Sequence, residues 1–95
     1  MSHAPLCPAR ELLQPLVERN NARAIYVLAY MYQVGQGMPV DLQKSSQLYA
    51  KSAELKFNPA MNNLGVSYRD GRGVEQSYPQ ALELFTQARE KYPTV

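Results

Sequence analysis

Apolar positions recur with a helical period in five stretches of this chain. Leu12, Leu13, Leu16 and Val17 fall at i, i+1, i+4 and i+5, one stripe on a helix predicted over residues 9–19, with Glu11 and Glu18 on the other side. Ala24, Leu28 and Tyr32, spaced by four, form a second stripe with Ile25 and Ala29 beside it. Leu42, Ser45, Leu48, Tyr49, Ser52 and Ala53 mark a third. Ala60, Met61, Leu64, Gly65 and Tyr68 mark a fourth, and Ala81, Leu84, Phe85 and Ala88 a fifth. Residues 1–8, with two prolines and small polar residues, read as a flexible arm.

The residues between the stripes carry start and stop signals. Pro15 interrupts the first: it kinks that helix, or the helix begins at Gln14 with Pro15 in its first turn. Asn20-Asn21 breaks the pattern and offers a cap for the second helix. Gly35 and Gly37 end it, and Asp41 caps the third. Phe57 closes the third helix, and Asn58-Pro59 reads as an N-cap followed by Pro at the first helical position. Gly71 and Gly73 end the fourth helix, Ser77-x-x-Gln80 is a capping-box pattern for the fifth, and Pro93 stops it.

Residue n falls on residue n+36: Ala24 on Ala60, Leu28 on Leu64, Tyr32 on Tyr68, Gly35 on Gly71, Gly37 on Gly73, Leu48 on Leu84 and Tyr49 on Phe85. The first helix shares the phase, with Leu12 on Leu48 and Glu18 on Glu54. The chain therefore reads as one helix of B type followed by two A–B helix pairs, residues 22–57 and 58–93. A repeated two-helix unit of this length predicts an all-α stack in which each unit buries its face on its neighbours.

Ala60, Leu64, Gly65, Tyr68, Gly71, Gly73, Val74, Tyr78, Ala81 and Ala88 make a pattern that resembles the Sel-one-like repeat (SLR) family, relatives of the tetratricopeptide repeats. Residues 24–54 fit it less fully, through Ala24, Leu28, Tyr32, Gly35, Gly37 and Ala53, with Ala29, Met38, Pro39 and Ser45 as departures. The resemblance implies a right-handed α/α superhelix acting as a protein-interaction scaffold, and it implies no enzyme and no named partner. At the far end, Arg89 stands where the first pair has Ala53, and with Lys91, Tyr92 and Pro93 it reads as a solvent-facing cap that ends the array.

Composition narrows the function classes. Ninety-five residues allow one small domain with a modest core, and 45% hydrophobic content argues against disorder. Ten basic residues interleave with eight acidic ones for a net charge of +2, which gives no footprint for nucleic acid or an anionic membrane. Cys7 is the only cysteine, so no internal disulfide and no multi-cysteine zinc site can form. No apolar run approaches spanning length, and the start lacks basic and apolar signal regions, so the expectation is a cytoplasmic protein. His3 is alone in the arm, no two carboxylates share an apolar helical face, and Ser45, Ser46 and Ser67 have no base placed beside them. The Gly-x-Gly turns follow helices rather than strands, which argues against phosphate cradles. No residue set calls for a cofactor or a metal.

With Ala24, Leu28 and Tyr32 turned inward, helical geometry turns Arg23, Tyr26, Val27 and Tyr30 away from them. Asn62, Asn63 and Val66 hold the matching face of the second pair, with Arg69 and Asp70 at its rim. Two aromatic anchors beside amides that can bond a peptide backbone suggest a groove for a protein or peptide, lined by the A helices. Three alternatives stand beside this reading: the first helix covers part of the patch; the chain is a homodimer that lends its open face to a neighbour; or it is a regulator or immunity-type protein that neutralises a partner by binding.

Overall fold

The computed structural model describes residues 7–91, and the side chains of residues 12–89. Five helices follow in order: α1 (Cys7–Glu18), α2 (Ala22–Val34), α3 (Leu42–Glu54), α4 (Asn58–Asp70) and α5 (Tyr78–Lys91). α2 packs most closely on α3, and α4 on α5; α4 then stacks on α3, and α1 lies more loosely on α2. His3, Tyr92 and Pro93 lie outside the described residues, as do the side chains of Cys7 and Lys91.

Short-range chemistry accounts for the ends. α1, α2, α3 and α4 each close on a left-handed residue, Asn20 (φ 61°), Gly35 (φ 75°), Lys56 (φ 69°) and Gly71 (φ 70°). After each of them, an N–H reaches back across the last turn: Asn21 to the Leu16 carbonyl at 2.9 Å, Gln36 to Met31 at 3.0 Å, Phe57 to Ser52 at 3.3 Å and Arg72 to Ser67 at 2.9 Å. This closure satisfies carbonyls that a helix end leaves free. The two long turns return alike: the Asp41 N–H donates to the Tyr32 carbonyl at 2.9 Å, and the Ser77 N–H to Tyr68 at 2.8 Å. Gly71→Ala places a Cβ at positive φ with only Gln76 nearby, its Cβ 3.3 Å away. Its expected cost is the left-handed penalty alone, about 1–2 kcal/mol, read as a lowered urea midpoint.

Three local expectations need correction. α1 begins at Cys7, two residues before the predicted start and inside the expected arm, and runs through Pro15 as one helix. The cap of α4 is Phe57, not Asn58, and Pro59 falls one position further in. The Asn58 side chain is buried and its amide N–H donates to the Ala88 carbonyl of α5, while its Oδ1, the atom a cap would use, accepts no hydrogen bond among the described residues. At Ser77 only half of the capping box forms: Ser77 Oγ accepts from the Gln80 N–H at 3.4 Å, while the Ser77 N–H is taken by Tyr68. Asn21 and Asp41 cap as expected, accepting from Ala24 and Lys44 at 3.0 Å each.

The core joins three helices. Ala29 of α2, Tyr49 of α3, and Ala60 and Leu64 of α4 form its buried centre, with Tyr26, Leu48, Phe57, Tyr68 and Leu84 packed around it. Each helix pair is also pinned by a polar link at equivalent positions, with the donor exchanged. In the first pair Ser52 Oγ donates to the Ala22 carbonyl at 2.8 Å. In the second, Ala88 replaces Ser52, Asn58 replaces Ala22, and the Asn58 amide donates to the Ala88 carbonyl instead. Between pairs, Ser46 Oγ donates to the Arg72 carbonyl at 2.8 Å, tying α3 to the turn that follows α4.

Candidate interaction surface

The A helices, α2 and α4, supply the candidate surface. On α2 the exposed residues are Arg23, Val27, Tyr30 and Val34, at i, i+4, i+7 and i+11, so they form one stripe. Tyr30 and Val34 are each 48% exposed. α1 therefore leaves this stripe open, although it packs on α2. On α4, Asn62, Arg69 and Asp70 are exposed, and Asn63 and Val66 are half-buried.

Tyr26 departs from its expected place. It is half-buried against the core, its ring centroid 5.6 Å from that of Tyr49 and 5.3 Å from that of Phe57. The Asn63 amide donates to the Tyr26 hydroxyl at 3.4 Å, so these two residues join α2 to α4. An A helix in a stack touches its own B helix and both neighbouring units, so its buried arc is wider than one stripe and takes in Tyr26. Arg23 lies over the Phe57 ring, 6.0 Å from its centroid, which sets its guanidinium beside the junction. Val34 belongs to the exposed stripe but escaped sequence reasoning; the spacing from Val27 and Tyr30 was the available signal.

Arg69 and Asp70 pair with each other. The Arg69 guanidinium donates to both Asp70 carboxylate oxygens, at 2.9 and 3.2 Å. That hydrogen bonding holds the Asp70 carboxyl below the usual carboxylate range and raises Arg69. Both side chains are well exposed, so the pair shapes the rim more than it stabilises the fold. Deeper in, Tyr49 is 1% exposed and its hydroxyl donates to Gln33 Oε1 at 2.8 Å. Burial pushes the Tyr49 phenol up, and the Asn63 amide works against that shift. Among the described residues no His, Cys, Asp and Glu side chains cluster to hold a metal, and no helix is long and apolar enough to cross a membrane.

Known proteins share this architecture. Chitin synthase regulatory factor 4 of Schizosaccharomyces pombe is 34% identical over 61 residues, which span 63% of this chain and 10% of that protein. The crystal structure of a Sel1 repeat protein from Oxalobacter formigenes superposes with a TM-score of 0.74 at 32% identity, covering 76% of this chain and 29% of the other. That of c5321, a protective antigen of uropathogenic Escherichia coli with an SLR fold, gives 0.84 at 30% identity, over 86% and 18%. Helicobacter pylori cysteine-rich protein B gives 0.81 at 28% identity, over 84% and 60%. The chain thus spans a fraction of each longer relative, and its five helices have the right-handed α/α superhelical form that the resemblance to SLR proteins implied. A Sel1 repeat model matches residues 11–57 and 58–92, and on that match the chain belongs to the Sel1 repeat family.

Proposed function

We infer that the chain is a non-catalytic interaction module that binds a protein or peptide along its A-helix face. Sel1 repeats are protein-interaction scaffolds in general. The observation that carries the site is the exposed stripe of Val27, Tyr30 and Val34 on α2, facing water beside the amide-bearing α4. An aromatic with a polar tip, flanked by aliphatics, is the composition that anchors interfaces. Asn62 supplies a free-facing amide for a peptide backbone, and Tyr26 with Asn63 forms the floor that holds α2 against α4. Arg23 and the Arg69–Asp70 pair stand at the rim, where charge governs encounter more than affinity. A binding module of this kind also suits a regulator that acts by occupying its target; the fission-yeast relative is named a regulatory factor of chitin synthase.

Tyr30→Glu is the test. Tyr30 is half-exposed, so the variant keeps its helical circular dichroism and its melting temperature. In affinity capture from native cell extract, a partner held by the intact chain is expected to be lost by this variant, with a drop of about 2 kcal/mol or more in binding, some thirtyfold. Equal retention by both baits removes the A-helix face as the site.

A further inference from the structure

The repeat makes α3 and α5 equivalent position by position, 36 residues apart. Leu42, Ser46, Tyr49 and Ala53 on α3 correspond to Tyr78, Leu82, Phe85 and Arg89 on α5. On α3 this is the face that receives α4. Ser46 is 3% exposed and bonds the Arg72 carbonyl, Gly73 presses on the Leu42 carbonyl, and Tyr49 packs with Ala60 and Leu64. On α5 three of the four positions are exposed, Tyr78 at 66%, Leu82 at 67% and Arg89, while Phe85 is half-buried with its ring against Gly65 of α4. α5 therefore carries a unit-stacking face, more apolar at Leu82 than its counterpart Ser46.

The α3–α4 contact fixes the direction of a helix seated there. α4 starts just beyond Ala53, where Phe57 shares the core with it, and its closing turn ends against Leu42 and Ser46. The two helices are antiparallel. A helix placed on α5 in the same way brings its N-terminus to Arg89, which is exposed. A helix N-terminus carries partial positive charge, so a guanidinium there repels it unless carboxylates stand in its first turn. The first turns of α2 and α4 contain no acidic residue. A unit whose first turn lacks a carboxylate, as those of α2 and α4 do, is thereby disfavoured on this face.

We propose that the outer face of α5 docks an amphipathic helix of another protein, antiparallel to α5, with its apolar stripe on Tyr78 and Leu82 and a carboxylate of its first turn on Arg89. The surface is separate from the α2–α4 stripe, so either assignment can fail alone.

The probes are two fluorescein-labelled peptides of the 13-residue α4 sequence, stapled across Asn62 and Val66: one native, one with Asn58→Glu and Pro59→Glu. Fluorescence anisotropy against the full chain is expected to show the acidic peptide binding about three- to tenfold more tightly, with the preference shrinking in salt. Arg89→Gln should erase the preference, Leu82→Glu should weaken both peptides, and Tyr30→Glu should change neither. Leu82 and Arg89 are exposed, so both variants fold, as circular dichroism would verify. No binding by either peptide, equal binding by both, or binding indifferent to Leu82→Glu overturns the proposal.

Discussion

Gly73→Ala is expected to destabilise the chain by about 2–5 kcal/mol, enough to unfold much of a domain this small at 37 °C. Gly73 has φ 78°, and an alanine there meets the left-handed penalty of about 1–2 kcal/mol. Its Cβ would also stand inside contact distance of the Leu42 carbonyl oxygen, and 2.8 Å from Ser46 Oγ. The blocking atoms are backbone at the start of α3, which cannot swing aside as a side-chain tip does. Making room means lifting the turn off α3, and with it the Ser46 bond to the Arg72 carbonyl. Overpacking of that kind costs a further 1–3 kcal/mol or so. Gly71→Ala serves as the control, because it shares the positive φ without the backbone clash. Urea titrations of the two variants should separate by at least about 1 kcal/mol. Midpoints that coincide would mean that Gly73 is kept for its dihedral angle and not for the approach of the turn to α3.

The contrast between these two glycines shows what the sequence carried. The 36-residue period, the Gly-x-Gly turns and the caps at Asn21 and Asp41 were legible because each is settled within a few residues of chain. The double-glycine spacing told that a turn was there; it did not tell that Gly73 touches Leu42, a contact 31 positions away. Asn58 failed for the same reason. Asn-Pro is a start signal on local grounds, but the pull of the Ala88 carbonyl, 30 residues on, turned the amide inward and moved the cap to Phe57. Ser46 falls outside the packing stripe predicted for α3, and burial between units gave it a carbonyl partner. Lys56 holds a left-handed conformation that a lysine does not announce. On the candidate face, Val27 and Tyr30 stayed exposed because none of the described residues covers that side of their helix, whereas Tyr26 went to the junction that only the stacking of α4 creates.

Tyr49→Ala should cost about 3–5 kcal/mol, the range for emptying a buried aromatic site, since Tyr49 is 1% exposed and joins the core residues of α2 and α4. Tyr49→Phe keeps that volume and removes only the hydroxyl that donates to Gln33. The second pair already holds Phe85 at the equivalent position, so the fold accepts the ring without the hydroxyl. The expected loss is about 1 kcal/mol, the net worth of one hydrogen bond. The pH dependence separates the two effects. Burial raises the Tyr49 phenol above its ordinary value, so the folded chain prefers the protonated form. Stability linked to this group is complete below the unfolded value, near pH 10, and is lost as pH climbs through the higher folded one. Tyr49→Phe lacks that loss. Its stability relative to the native chain should therefore improve between pH 9 and pH 11, by difference, with every other titrating group common to both proteins. A constant gap across that range would show that the Tyr49 phenol ionises as easily in the folded chain as in the unfolded one, and that the hydroxyl reaches water where the packing of α2, α3 and α4 says it does not.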